Sequence, residues 1–311
     1  MMKSAWLLLV AGALTGAAPN PPATCAMATA FDHPDDNGGR TTAVWSDRAN
    51  KALLFGDALH VNTDGTKRSY KVSDFWGKTD ALNNLCNAMS DACAGLNSAQ
   101  LQARRVAVEK ARTDGWPAAA WAASRISSGI IPLHKNAQGR LVPCPEVDGF
   151  MVSATALTDP AITDQCNLAR YIDALTVNAV VIPGSAAMAA TGAKVGDLAV
   201  VMKPDGTTFY AVVGDSGPKK EIGEISIALA GAMLGKTRPP ANYDEIRGKP
   251  PHWAGKGWDV PKGFVLILPG TRDAANPYIT AARIESAAAP LFQAWGGAER
   301  LRACIGVYRR S

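Results

Sequence analysis

The sequence lacks the short motifs that mark most cofactor chemistry. It holds no zinc-ligand spacing, no Walker loop and no glycine-rich dinucleotide fingerprint. Its 4 histidines include none in a setting that would activate a serine or cysteine. GDSGP, around Ser216, is not the strand-turn-helix elbow that carries a serine nucleophile. Charge of one sign is also scarce. A surplus of +5, with pI near 8.9 and the basic residues scattered, argues against a nucleic-acid partner. After the N-terminus no run reaches 18 uninterrupted apolar residues, so no stable membrane insertion is expected. What remains is a chain of 311 residues, 47% hydrophobic and 19% charged, which is enough to build a core. That length suits one large domain or two ordinary ones.

The N-terminus, MMKSAWLLLVAGALTGAAPN, carries a lysine, a short apolar run and then small residues. This is the pattern of a signal peptide over residues 1–18, with cleavage after Ala18 or at a later site near Ala26. A secreted or periplasmic protein is expected. Export makes disulfides of Cys25, Cys86, Cys93, Cys144, Cys166 and Cys304. Six cysteines permit 15 pairings. Cys86 and Cys93 are close enough in LCNAMSDAC to bridge locally, and cleavage after Ala26 would leave one thiol over.

Residues 19–45, rich in Pro, Ala, Asp and Gly, read as a tether, and 46–311 as a single domain. Residues 51–75 hold short strand-like runs broken by the turn signal Asn-Thr-Asp-Gly. A helical insert is expected over about 82–128, with one helix ending at Gly115 before Pro117. The second half is β-rich. NAVVIPG, GDLAVVM, TFYAVVG and GFVLILPG are apolar runs between glycines and prolines, and LAVVM-KPDG-TTFYAVV reads as a hairpin. VVIPG and LILPG echo each other, a weak repeat that suits a pseudo-symmetric barrel. A buried helix is expected over 224–234, a loop over 236–262, and C-terminal helices divided near Pro290 and at Gly296-Gly297.

The most informative stretch is YAVVGDSGPKKEIGEISIALAGAML, residues 210–234. It delivers Asp215 and Glu224 to opposite ends of one loop. With YIDALTVNAVVIPG, KVGDLAVVM, FVLILPGT and FQAWGG it resembles the fungal-type chitosanases of glycoside hydrolase family 75 and their bacterial relatives. ALHVNTDGTKRSYKVSD resembles that family's N-terminal strand and the tyrosine segment after it. The resemblance covers about two thirds of the chain, and GDSGP…IGEISIALA is its most specific part. It implies an endo-acting, inverting hydrolase whose two essential carboxylates fall on Asp215 and Glu224. The helical insert around 95–128 departs from the family's pattern and bears on the shape of the cleft. A strand ending in Asp-x-Gly-Pro, followed by an acidic residue and an Ile-Ser-x-x-Ala helix, is also similar to double-psi β-barrels. The expected fold is therefore mainly β with helical additions, a double-psi-like six-stranded barrel.

Each candidate has a bland alternative. Asp215 reads equally as a turn aspartate and Glu224 as a helix-start charge. Glu224 also carries a conflict, because a helix N-terminus lowers a carboxyl pKa while a general acid needs it raised. Burial beside Ile222 and Ile225 and the charge of Asp215 would have to outweigh the dipole. Asp64, Tyr210 and Ser216 are candidate substrate contacts, although Asp64 alone reads as a turn residue. His60 reads as a strand residue, and Lys219 and Lys220 as a solvated loop tip. Trp45, Trp76 and Trp253 read as core or surface side chains before they read as sugar platforms. Carboxylate acid–base chemistry requires no cofactor or metal. The leading substrate is chitosan or a related β-1,4-linked amino-sugar polymer, although a basic protein is not steered towards a polycation unless its cleft is locally acidic. The alternatives are hydrolysis or lysis of the peptidoglycan glycan strand, and a non-catalytic polysaccharide-binding barrel.

Overall fold

A computed structural model describes residues 24–34, 41–47, 52–90, 93, 95–248 and 257–309. The expected signal peptide lies outside them. The elements run β1 (Met27–Pro34), β2 (Thr41–Asp47), β3 (Leu53–Asn62), α1 (Ser98–Thr113), α2 (Ala118–Ser124), β4 (Leu133–Lys135) and β5 (Leu141–Pro143). They continue with β6 (Ala179–Pro183), α3 (Ala186–Ala190), β7 (Leu198–Met202), β8 (Thr208–Gly217), β9 (Glu224–Ser226), α4 (Ile227–Leu234) and α5 (Tyr243–Arg247). β10 (Val260–Leu268), α6 (Ala281–Trp295) and α7 (Gly297–Tyr308) complete the chain.

Six strands close on themselves in the order β3-β10-β7-β8-β6-β9, with β9 returning to β3. The fold is a closed six-stranded barrel with extra strands and helices. Exchanging β3 with β8, β6 with β9 and β7 with β10 maps this order onto itself. The exchange also carries the parallel pair β3–β9 onto the parallel pair β8–β6. The pseudo-symmetry expected from VVIPG and LILPG is therefore present in the topology. It relates different strands, however: the partner of LILPG-bearing β10 is β7, not β6.

Strands β7 and β10 are apolar on both faces because both faces are covered. Ala199, Val201, Val265 and Ile267 point into the barrel with Leu53, Phe55, Leu59, Val180, Val213 and Ile225. Their neighbours Val200, Met202, Phe264 and Leu266 point outward, under Phe292 of α6 and Leu301 and Ile305 of α7. Helix α4 lies against the barrel core through Ile227, Leu229 and Met233, as an all-apolar helix should. The insert has its own core, in which Tyr70, Val72, Phe75 and Leu85 meet Val108 of α1. Helix α1 starts at a capping box between Asn97 and Gln100 and stops one turn before Pro117.

Several expectations need correction. The supposed tether contains β1 and most of β2, which extend the barrel wall through Trp45 and Ser46 beside Leu54 and Leu53 of β3. Its composition looked linker-like because β1 is an edge strand, mostly exposed. Pro290 does not divide the C-terminal helices. It sits inside α6, exposed, and the break falls at Gly296, whose φ is 120°. The 236–262 stretch contains α5 and the start of β10. The helix expected from residue 224 starts at Ile227, three residues late, and this moves Glu224 off it.

The six cysteines form Cys25–Cys304, Cys86–Cys93 and Cys144–Cys166. The local bridge is the one its spacing allowed. Cys25–Cys304 ties the segment just before β1 to α7 across 279 residues. A bridge of such span stabilises by about 5–6 kcal/mol in the chain-entropy account. Trp45 lies in the core against Tyr308, and Trp76 packs edge-on to Phe75. Trp253 lies outside the described residues.

Candidate active site

Asp215 owes its direction to one extra residue. Inward-facing Ala211 and Val213 set the alternation of β8, which would turn Asp215 inward as well. The register against β6 instead passes from Val180↔Val213 to Val181↔Asp215, leaving Gly214 as a bulge. A Cβ at Gly214 would stand 2.8 Å from the Ala179 Cβ, so the bulge needs glycine. The bulge turns Asp215 onto the outer face of the barrel, as bulges beside functional sites often do.

Glu224 arrives on that same face from the other side. Gly223, with φ 95°, brings the loop so close to β3 that a Cβ would stand 2.6 Å from the Ala58 carbonyl oxygen. The His60 N–H then donates to the Gly223 carbonyl at 2.9 Å, and Glu224 pairs in parallel with His60. Ile225 points into the barrel, so Glu224 points out. Ser226 caps α4 by accepting from the Leu229 N–H at 3.2 Å. Glu224 is thus a strand residue before the cap, and the expected conflict with the helix dipole falls away.

The two carboxyls share a cleft of about 1130 Å³. Glu224 Oε2 lies over Gly217, 2.6 Å from where a Cβ would stand. Asp215 is two residues back along the same strand face, about 7 Å at strand rise.

Asp64, in the turn after β3, completes a cluster of three. Its Oδ1 accepts from the Tyr70 hydroxyl at 2.8 Å and from the Ser153 hydroxyl at 3.0 Å. Behind it Asn83 donates to the Tyr70 oxygen at 3.2 Å and to the Thr63 hydroxyl at 3.1 Å. Asp215 Oδ1 accepts the N–H groups of Ala156 and Ser216, at 2.9 and 2.8 Å. Burial dominates the electrostatics. Burial, then the charges of Glu221, Asp64 and Asp215, pushes Glu224 up to about 8, against a hydrogen bond with Asn62. Burial and the charge of Asp215 push Asp64 up to about 7, against its two hydroxyl donors. Burial pushes Asp215 to about 6, held back by its two N–H donors. Three such carboxyls cannot all ionise readily at neutral pH, so acid and base forms coexist in one cleft.

Asp64, Asp215, Ser216 and Glu224 all line the cleft, and Ser216 contributes its N–H to Asp215. Tyr210 does not line it. Its ring meets Phe292 of α6 edge-on, on the far part of β8. His60 lines the cleft and has Asp259 Oδ2 3.1 Å from its Nδ1, so it is more than a strand residue. Lys219 and Lys220 are exposed, as a loop tip should be. Tyr70, Ser153 and Glu221 were not singled out from the sequence. Tyr70 at least lies in the segment that carries the family resemblance, whereas Ser153 has no local signal. Among the described residues no group of three or more His, Cys, Asp or Glu side chains is arranged to hold a metal ion. No family model matches the chain, and no curated protein matches it.

Proposed function

We propose that this chain is an exported, endo-acting, inverting glycoside hydrolase that cuts β-1,4 linkages in chitosan or a closely related amino-sugar polymer, on a double-psi type of barrel. The observation that carries the reading is the placing of Asp215 and Glu224 on one outer face, with Glu224 the more strongly held in its protonated form. Glu224 donates its proton to the leaving glycosidic oxygen. Asp215, ionised, draws a proton from a water that attacks the anomeric carbon from the opposite side.

Charge supports the amino-sugar substrate. Asp57, Asp64, Asp215, Glu221, Glu224 and Asp259 line the cleft, against Arg247 and Lys262. The local sign is thus opposite to that of the whole chain, as a polycationic substrate requires. The cleft exceeds the range of small-molecule pockets, about 300–1,000 Å³, which suits a polymer. Its lining reaches from Thr42 and Tyr308 to Gly129 and Ile130. The pseudo-twofold strand order, with one parallel pair in each half, supports the double-psi assignment. Three disulfides support an exported protein, and among the described residues no helix is long and apolar enough to cross a membrane. The overall surplus of +5 favours a second substrate, the anionic glycan strand of peptidoglycan.

The test is to incubate the purified protein with chitosan and with peptidoglycan and to measure new reducing ends. Release from chitosan, and little from peptidoglycan, is expected; 1,6-anhydro products from peptidoglycan without new reducing ends would favour a lytic enzyme, and no cleavage of either substrate overturns the reading in favour of a binding barrel. On the active substrate kcat/KM should follow a bell. It rises as Asp215 ionises near 6 and falls as Glu224 loses its proton near 8. A rate that keeps rising above pH 9 would contradict Glu224 as the acid.

A further inference from the structure

One segment holds two of the three carboxyls. Residues 153–156 give the Ser153 hydroxyl to Asp64 Oδ1 and the Ala156 N–H to Asp215 Oδ1. The same segment is fixed in turn. Thr155 donates to the Leu157 carbonyl at 2.9 Å and accepts the Ile172 N–H at 3.2 Å. Gly65 packs so tightly beneath it that a Cβ would stand 2.7 Å from Thr155 Cγ2 and 1.9 Å from the Ile172 carbonyl oxygen. Both aspartates are therefore clamped through Oδ1 by rigid donors, which leaves each Oδ2 for something in the cleft.

We propose that Asp64 is a third reacting carboxyl, which together with Asp215 holds the attacking water, and that Tyr70 is its positioning residue. The inference rests on the hydrolase reading above. The water donates one hydrogen to Asp215 Oδ2 and the other to Asp64 Oδ2, and this aims a lone pair at the anomeric carbon. As the new C–O bond forms, the water proton passes to Asp215. The bond to the leaving oxygen breaks with its electron pair, and that oxygen takes the proton of Glu224. No oxidant or further reactant is needed. A carboxyl that only gripped a sugar hydroxyl would not need to be tied to the base by a shared segment. The titratable groups around Asp64 are Tyr70 behind it, Asp215 from β8 and Glu224 from β9. Glu221 lies beside Glu224, and Tyr243 beside Tyr70.

The experiment compares wild type, Asp64→Asn and Tyr70→Phe on the substrate that wild type cuts, recording kcat, KM and the pH profile. Asp64→Asn should lower kcat by about 10²-fold or more with KM little changed, as loss of a transition-state contact does. Tyr70→Phe removes a donor that favours ionised Asp64. Because Asp64 must then be ionised as well as Asp215, the acidic limb is set by Asp64 near 7, and Tyr70→Phe should move it to still higher pH, losing more rate at pH 5 than at pH 8. Carboxyl-carbon NMR adds a readout free of turnover: Glu224, which the charge of Asp64 pushes up, should titrate lower in Asp64→Asn than in wild type. A raised KM with kcat within a few-fold would make Asp64 a substrate contact only and overturn the proposal. So would an unmoved acidic limb in a folded Tyr70→Phe. Inactive wild type brings down the hydrolase reading itself, whereas active wild type with equally active Asp64→Asn brings down this inference alone.

Discussion

Glu224→Gln and Asp215→Asn should each lower turnover by about 10²–10⁴-fold, the usual loss when a general acid or base is replaced by its amide. Both amides keep the shape of the native side chain. Asn can still accept the Ala156 and Ser216 N–H groups through its carbonyl oxygen. Gln fits the space over Gly217 that the Glu224 carboxyl occupies. Circular dichroism and the cooperativity of unfolding should match wild type, which separates lost chemistry from lost structure. If Asp215 only closed a turn and Glu224 only paired with β3, turnover would stay within a few-fold. The two defects should also be strongly non-additive, because an acid and a base that act on one bond fail together.

The second large effect is on stability, and its sign is opposite to that of most core substitutions. Glu224 has an ordinary value of 4.5 and is pushed up to about 8 in the folded chain. Between those limits the unfolded chain ionises while the folded chain keeps its proton. Stability therefore falls as pH rises from about 4.5 to about 8, and levels off above. At about 1.36 kcal/mol for each pKa unit, the loss is on the order of several kcal/mol. Asp64 and Asp215 act in the same direction, from 3.8 to about 7 and about 6. Gln at position 224 has no such proton to hold. Thermal unfolding of Glu224→Gln should therefore match wild type near pH 4.5 and exceed it by several degrees at pH 8. A variant less stable than wild type at pH 8 would mean that the carboxylate is stabilised in place, which removes the basis for a general acid.

Much of this was legible in the chain, and the gaps have physical causes. The barrel strands announced themselves because β7, β8 and β10 are apolar runs punctuated by glycine and proline. The LAVVM-KPDG-TTFYAVV hairpin was readable because Pro-Asp-Gly closes a turn without help from distant residues. Its register is Leu198↔Val212 through Met202↔Thr208. The hairpin of β1 and β2 was not legible, since β1 is an edge strand, mostly exposed, and carries little apolar signal. Glu224 was placed at a helix start because Ile225 continues the apolar pattern of α4 backwards. Only its pairing with His60, 164 residues earlier in the chain, makes that stretch a strand. The direction of Asp215 depends on a bulge at Gly214, and a glycine before a turn aspartate does not reveal one. Ser153 was invisible for a similar reason: its contact with Asp64 spans 89 residues.

On the reading proposed above, two carboxyls on one outer face act from opposite sides of a single glycosidic bond, with water as the only nucleophile. Proton NMR of the first products, recorded before mutarotation, tests it most directly. An inverting pair must release the α-anomer from a β-linked chain, and that signal should grow first with the β form following slowly. Fresh β-anomer would instead require a covalent intermediate on one of the carboxyls. Asp215 could then not be the base that activates water.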